Sequence, residues 1–366
     1  MFSIIRKIII FLILLFFVYL ITSLIIKHRL IQKKNEEDEK DLQKELDNED
    51  FQEGFTFNTQ SGELSSLEVK DGSLVMANIA PKNSNLPLRE YFMKASYNTA
   101  LTGSYINTDM VKYLLSRGCR FLDFEIYSIN DIPYVSYSTD PTFATQTENT
   151  VLLSDVLTTI AQSGFMAPSP NPKDPLFIQF RIKTTISELY SQIAMSLSKN
   201  LGSRLYNGEV NGSTLLSKLL GKIIIIVDKS TSPNYYKYSN CNDQKYDLKK
   251  YVNMESGGNN LRIYKYSNIM GQQTTPIYIN DDGVTTTSST MKLIVPDIAY
   301  NIIGISRNPS PTQLITDYGV QIIAYRFYQV DSNLQAYEKI FSDSKSAFIP
   351  MAQLLNYINT ENDKPE

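Results

Sequence analysis

The chain has 366 residues, enough for one large domain or two ordinary ones at about 100–200 residues each. Hydrophobic residues make up 42% and charged residues 20%, which fits a globular protein with a sizeable core and excludes a disordered one. A net charge of −3 gives no general attraction to nucleic acid. With one histidine, His28, and two cysteines, Cys119 and Cys241, zinc sites and Cys/His or Ser/His/Asp catalysis are close to excluded.

After a short tail (1–7), residues 8–26, IIIFLILLFFVYLITSLII, run for 19 residues without a charge. A helix rising 1.5 Å per residue covers a hydrocarbon core of about 30 Å with such a stretch. The run is longer than the apolar part of a cleavable signal peptide, and no small-x-small site follows it. An uncleaved, single-pass membrane anchor is therefore expected. Arg6 and Lys7 before it, and Lys27, Arg29, Lys33 and Lys34 after it, leave the side of the membrane open. His28 belongs to this flank, far from any catalytic pocket. Residues 27–73 read as a basic and then acidic tether, with ten acidic and two basic residues between Asn35 and Gly54. Such a run is a solvated stalk that holds the next domain off an anionic surface; an acidic calcium-collecting segment is the other reading.

From about Leu74 the texture changes. Short apolar runs recur: FLDFEIY (121–127), IPYVSY (132–137), LFIQFRI (176–182), KIIIIV (222–227), IIGIS (302–306) and VQIIAYRF (320–327). Amphipathic stretches lie between several of them, at 108–118, 152–164 and 186–202. Strands separated by helices predict βα units around a parallel sheet, and their number over this length suits a closed β/α barrel of the TIM type. An open doubly wound sheet is the alternative, weakened because no Gly-rich nucleotide loop follows any of these strands. Residues 230–290 are polar and rich in Asn, Ser, Thr and Tyr. They read as an insertion between barrel halves at 74–229 and 291–345, with a strand or two of its own near LRIYKY and PIYIN, and with 346–366 as a tail.

Taken in order, PLREYFMKASYNTALTG (87–103), LLSRGCRFLDFEIY (114–127), LLGKIIIIVDK (219–229) and YGVQIIAYRFYQ (318–329) resemble the X and Y regions of phosphoinositide-specific phospholipase C. The first block carries most of the likeness, with some eight residues matching at fixed spacing. The resemblance spans about Pro87 to Phe341 and makes 230–290 the X/Y linker. It implies a barrel that cleaves a phosphodiester by internal attack of the inositol 2-hydroxyl, using two histidines and a calcium ion held by Asn, Asp and Glu.

Carried over by position, both histidines are lost. The first falls on Tyr97 and the second on Tyr137. The metal ligands fall on Asn98, Asp123 and Glu125, the two carboxylates in swapped order, and the last ligand falls on Arg181. Tyrosine, with a reference pKa of about 10, is a poor proton shuttle at neutral pH, and losing proton transfer typically forfeits ~10²–10⁴-fold per group. Arg181 sets a positive charge against calcium and offers Asp123 and Glu125 a salt bridge instead; in the metal-free bacterial branch of the superfamily an arginine does stand there, alongside two retained histidines. No cofactor is therefore expected, calcium being the one candidate. Substrate phosphates would meet Lys229, Arg181 and Arg307. The expectation is a membrane-anchored pseudoenzyme that binds a phosphate-bearing headgroup or a protein partner and no nucleic acid. A divergent phosphodiesterase using these side chains and a structural membrane or virion surface protein are the alternatives.

Overall fold

A computed structural model describes residues 59–70, 74–140, 142–184, 186–238, 246–280, 285, 290–297 and 307–362. The apolar span 8–26, the acidic run, Cys241 and the IIGIS stretch lie outside the described residues, among which no helix is long and apolar enough to cross a membrane. A helix α1 (Gln60–Lys70) comes first, within the stretch expected to be a solvated tether. Then follow β1 (Tyr91–Ser96), α2 (Thr108–Ser116), β2 (Phe121–Ile129), the hairpin β3 (Ile132–Ser136) and β4 (Val151–Leu152), α3 (Leu153–Ser163), β5 (Leu176–Lys183), α4 (Ser187–Leu201) and β6 (Ile223–Asp228). The chain continues through β7 (Met254–Ser256), β8 (Leu261–Lys265), α5 (Tyr266–Met270), β9 (Met291–Val295), α6 (Pro311–Tyr318), β10 (Ile322–Tyr325), α7 (Ser332–Ser344), β11 (Phe348–Pro350) and α8 (Met351–Asn362).

Eight strands pair in parallel in the order β1, β2, β5, β6, β7, β8, β9, β10, and β10 returns to β1, closing the ring. Parallel strands buried on both faces need continuous apolar sequence, and the runs at β2, β5 and β6 supply it. Alternation sends one set of side chains into the barrel and the other against the helices. The outward set (Leu122, Phe124, Ile178, Phe180, Ile223, Ile225, Ile323) joins one cluster with the apolar faces of α2, α3 and α4. The inward set forms a second, smaller cluster inside the ring, from Met93, Phe121, Phe177, Ile224, Met291 and Ile322 upward.

Two ring strands, β7 and β8, come from within residues 230–290. β7 is three residues long, and β8 is the strand expected near LRIYKY, so the stretch read as an insertion supplies part of the ring itself. The last 21 residues also contribute: β11 pairs antiparallel with the first half of β1, and Phe348 closes the bottom of the barrel against Tyr91 and Phe177. Cys119 is a buried free thiol, which burial pushes up to about 12.

Candidate functional site

Climbing the inner face from the bottom, the side chains change character. Apolar residues give way to Asp123 and Gln179 at mid-height and then to Tyr97, Glu125, Arg181, Asp228, Lys265 and Arg326 at the carboxyl ends of the strands. This is the end at which β/α barrels build their sites. β2 and β5 are in register, Asp123 beside Gln179 and Glu125 beside Arg181, so a one-residue slip of β5 would turn Gln179 and Arg181 out of the barrel and away from both carboxylates.

Arg181 is the centre. Its Nε donates to Asp123 Oδ1 (2.9 Å) and its Nη2 to Asp123 Oδ2 (2.6 Å), a fork on a carboxylate. Nη2 also donates to Asn98 Oδ1 (2.6 Å), while Nη1 donates to Tyr97 Oη (3.1 Å) and to Glu125 Oε1. These five bonds use all five N–H groups of a guanidinium. The Tyr97 ring lies over the same group, 4.4 Å from centroid to Cζ. Lys183 completes the cluster, its Nζ 2.9 Å from Glu125 Oε2 and 2.8 Å from the Ser138 carbonyl. Two cations thus face two anions, all nearly or fully buried except for part of Lys183.

The field of the cluster fixes its protonation. Burial pushes the Glu125 carboxyl up, but Arg181 and Lys183 outweigh it and hold the group below the usual carboxylate range. Burial lowers Arg181, yet Asp123, Tyr97 and Glu125 raise it well above its ordinary value, so it stays charged. Burial raises Tyr97 far above the ordinary phenol, Arg181 notwithstanding, and raises Tyr137 as well. Neither tyrosine is a proton shuttle near neutral pH.

The loop after β1 is built onto β2. Asn98 sits in the left-handed region (φ 44°), which asparagine tolerates better than most residues, and its N–H donates to Asp123 Oδ2 at 3.1 Å. Thr99 N–H donates to the Asp123 carbonyl, and Asp123 N–H to Thr99 Oγ1, both at 2.8 Å. The far end of the loop is held by α1. Glu63 takes the N–H of Ser104 (3.0 Å to Oε2) and the Thr102 hydroxyl (2.6 Å).

The structure brings Tyr97, Asn98, Asp123, Glu125 and Arg181 into one contact set, with Tyr137 half-buried just beyond β3. Lys229 stands apart at the end of β6, paired with Glu255 at 2.9 Å. Arg307 precedes α6, next to Asn308, whose Oδ1 holds the Arg326 N–H at 3.0 Å. Sequence reasoning missed Lys183, Lys265 and Arg326. Each lies one alternation step above an inward residue on its strand (181, 263, 324), and that step was the available signal.

Calcium, which the resemblance implies, does not fit these donors as arranged. The ion takes 6–8 oxygens, and side-chain oxygens of Asn98, Asp123 and Glu125 already accept from Arg181. A divalent ion about 4 Å from a guanidinium would also be repelled by roughly 8 kcal/mol at an effective dielectric of about 20. Among the described residues no group of three or more His, Cys, Asp or Glu side chains is placed to hold a metal ion.

The fold is a closed, eight-stranded parallel barrel with a charged mouth at the carboxyl ends of its strands. Residues 84–229 match the family model of the phosphatidylinositol-specific phospholipase C X domain. Among solved structures the chain is similar to PLC21 of L. pealei (17% identity, TM-score 0.56) and of S. officinalis (16%, 0.53). In each case the similarity covers 81% of this chain but 42% of the other, so the chain spans less than half of either PLC21 chain. No curated protein sequence matches the chain.

Proposed function

We propose that the chain is a membrane-tethered phospholipase C-like barrel that has given up phosphodiester cleavage and holds a phosphate-bearing headgroup at its mouth. The observation that carries this reading is the saturation of Arg181: a guanidinium with all five N–H groups engaged by its own protein has none left for a substrate phosphate. The tyrosines at 97 and 137 add nothing that moves a proton at neutral pH. The cation left for an anion is Lys265. Among the described residues its ammonium has no hydrogen bond or ion pair, and it lies in the fields of Arg181, Asp228 and Asp123. Arg326, nearly buried, donates to the Asp297 carbonyl (2.9 Å) at the same rim. The apolar span 8–26 supplies the tether that keeps such a mouth near a lipid surface.

The test uses the full chain in detergent micelles doped with phosphatidylinositol, reading headgroup binding and release of water-soluble phosphate ester in the same samples. The reading predicts binding that weakens at least tenfold in Lys265→Gln and no release above the rate of Asp123→Ala. Release that Asp123→Ala abolishes would overturn it in favour of a divergent phosphodiesterase. Absence of any binding would leave the barrel a structural protein.

A further inference from the structure

We propose that the outer wall of the barrel between β8 and β9 carries a second anion site, built on Arg262 and Lys292 and suited to a doubly charged phosphomonoester. Around most of the ring the outward positions are apolar and buried under helices, as at Phe124, Ile178, Phe180, Ile225 and Ile323. On β8 they are Arg262 and Tyr264, and on β9 they include Lys292. The helix that follows β8, α5, has five residues, too few to cover a strand face as α3 or α4 does. A cavity of about 390 Å³ opens in its place, lined by Arg262, Tyr264, Gln272, Thr275, Lys292 and Tyr318 among others.

Arg262 and Lys292 are register partners on adjacent strands, so they share a face at a strand spacing of about 4.8 Å. Like charges directly opposite one another destabilise a sheet unless something between them is negative. Nothing described supplies that charge. No carboxylate among the described residues lines the cavity, and Arg262 has no hydrogen bond or ion pair among them. Among the described residues Lys292 donates only to neutral acceptors, Thr275 Oγ1 (2.6 Å) and the Tyr318 carbonyl. Burial and then the Arg262 charge lower its pKa. A face polar merely because it is wet would mix its signs, as Lys112 and Asp109 do on α2. A phosphomonoester, at about −1.5 to −2 charge near neutral pH, matches the two cations. The polar side chains of Tyr264, Gln272 and Thr275 line the same cavity and suit its oxygens.

The site is separate from the mouth, because residues 262 and 292 alternate away from the inward positions 261, 263 and 265. Inorganic phosphate is the probe, titrated into the full chain in detergent against chloride at matched ionic strength, with thermal unfolding as the readout. The proposal predicts a saturable rise in melting temperature for wild type and for Lys265→Gln. In Arg262→Gln, a change at an exposed side chain, the concentration giving half the rise should increase at least tenfold. Phosphatidic acid doped into the same micelles asks whether the anion is lipid-borne: a shift lost in Arg262→Gln with either probe supports the site and identifies the source. A phosphate response that Arg262→Gln leaves unchanged, or one no larger than that of chloride, would overturn the proposal.

Discussion

Arg181 stands between two buried carboxylates, Asp123 and Glu125. Removing one member of a buried, hydrogen-bonded ion cluster typically costs about 3–5 kcal/mol, because the remaining charge keeps its desolvation penalty without its partner. Arg181→Leu should therefore destabilise the barrel by about that amount in urea denaturation. Pairing it with Asp123→Asn should recover part of the loss; strictly additive effects would mean that the two side chains are not coupled. Lys265 titrates in the opposite sense to a paired lysine. Burial, then Arg181, lowers it from the ordinary value to about 8. Between that value and the unfolded lysine's value of about 10.4, the unfolded chain binds the extra proton, so stability rises with pH across this window. Anion binding at the mouth runs the other way and should weaken as pH climbs past about 8. Lys265→Gln should flatten both profiles, which paired urea and binding measurements at pH 7 and pH 10 would read. The carboxylate pair and Arg181 were legible through the family resemblance, and period-2 spacing puts 123 and 125 on one face. Their mutual saturation was not, because the register of β5 against β2 is a property of the assembled sheet.

At the scale of elements, α1 is the departure from expectation. Its surroundings are charged and polar, yet Leu64 and Leu67 are buried in the outer core, while Gln60 donates to the Ile106 carbonyl (3.0 Å) and Glu63 caps the loop that begins at Asn98. The helix thus braces the loop that carries part of the site. Glu63→Ala should lose charge-assisted bonds of about 1.5–3 kcal/mol each at most, discounted because the group is only part-buried. Amide exchange at Ser104 and Tyr105 should then quicken while that of β5 stays unchanged. No local change at 102–105 would mean that α1 is held by its leucines alone. Sequence periodicity misses such a helix because two apolar contacts in eleven residues do not make an amphipathic stripe. It finds β2, β5, β6 and α2 to α4 because parallel strands under helices must be apolar through and through. β7 escapes it because three residues are too short to show a period, while β8 is the strand expected near LRIYKY, read as part of an insertion although it closes the ring.

For the whole molecule, the barrel divides into an apolar bottom and a charged mouth. The bottom is packed as any stable barrel requires, with Met93, Phe121, Phe177 and Phe348 fully buried. The mouth carries a neutralised cluster of Arg181, Lys183, Asp123 and Glu125, with the Tyr97 ring over the guanidinium. The fold is readable from the first seventeen residues of the X-like block while the chemistry is not, because a backbone pattern does not fix which side chains stand at the mouth. At the centre of the mouth, Arg181 holds side-chain oxygens that a calcium ion would need. Calorimetric titration of calcium into the detergent-solubilised chain tests it most directly, read beside the melting temperature in calcium and in chelator. The account predicts no saturable heat and equal melting temperatures. Saturable binding that Asp123→Asn abolishes would contradict it and return the mouth to metal-assisted chemistry.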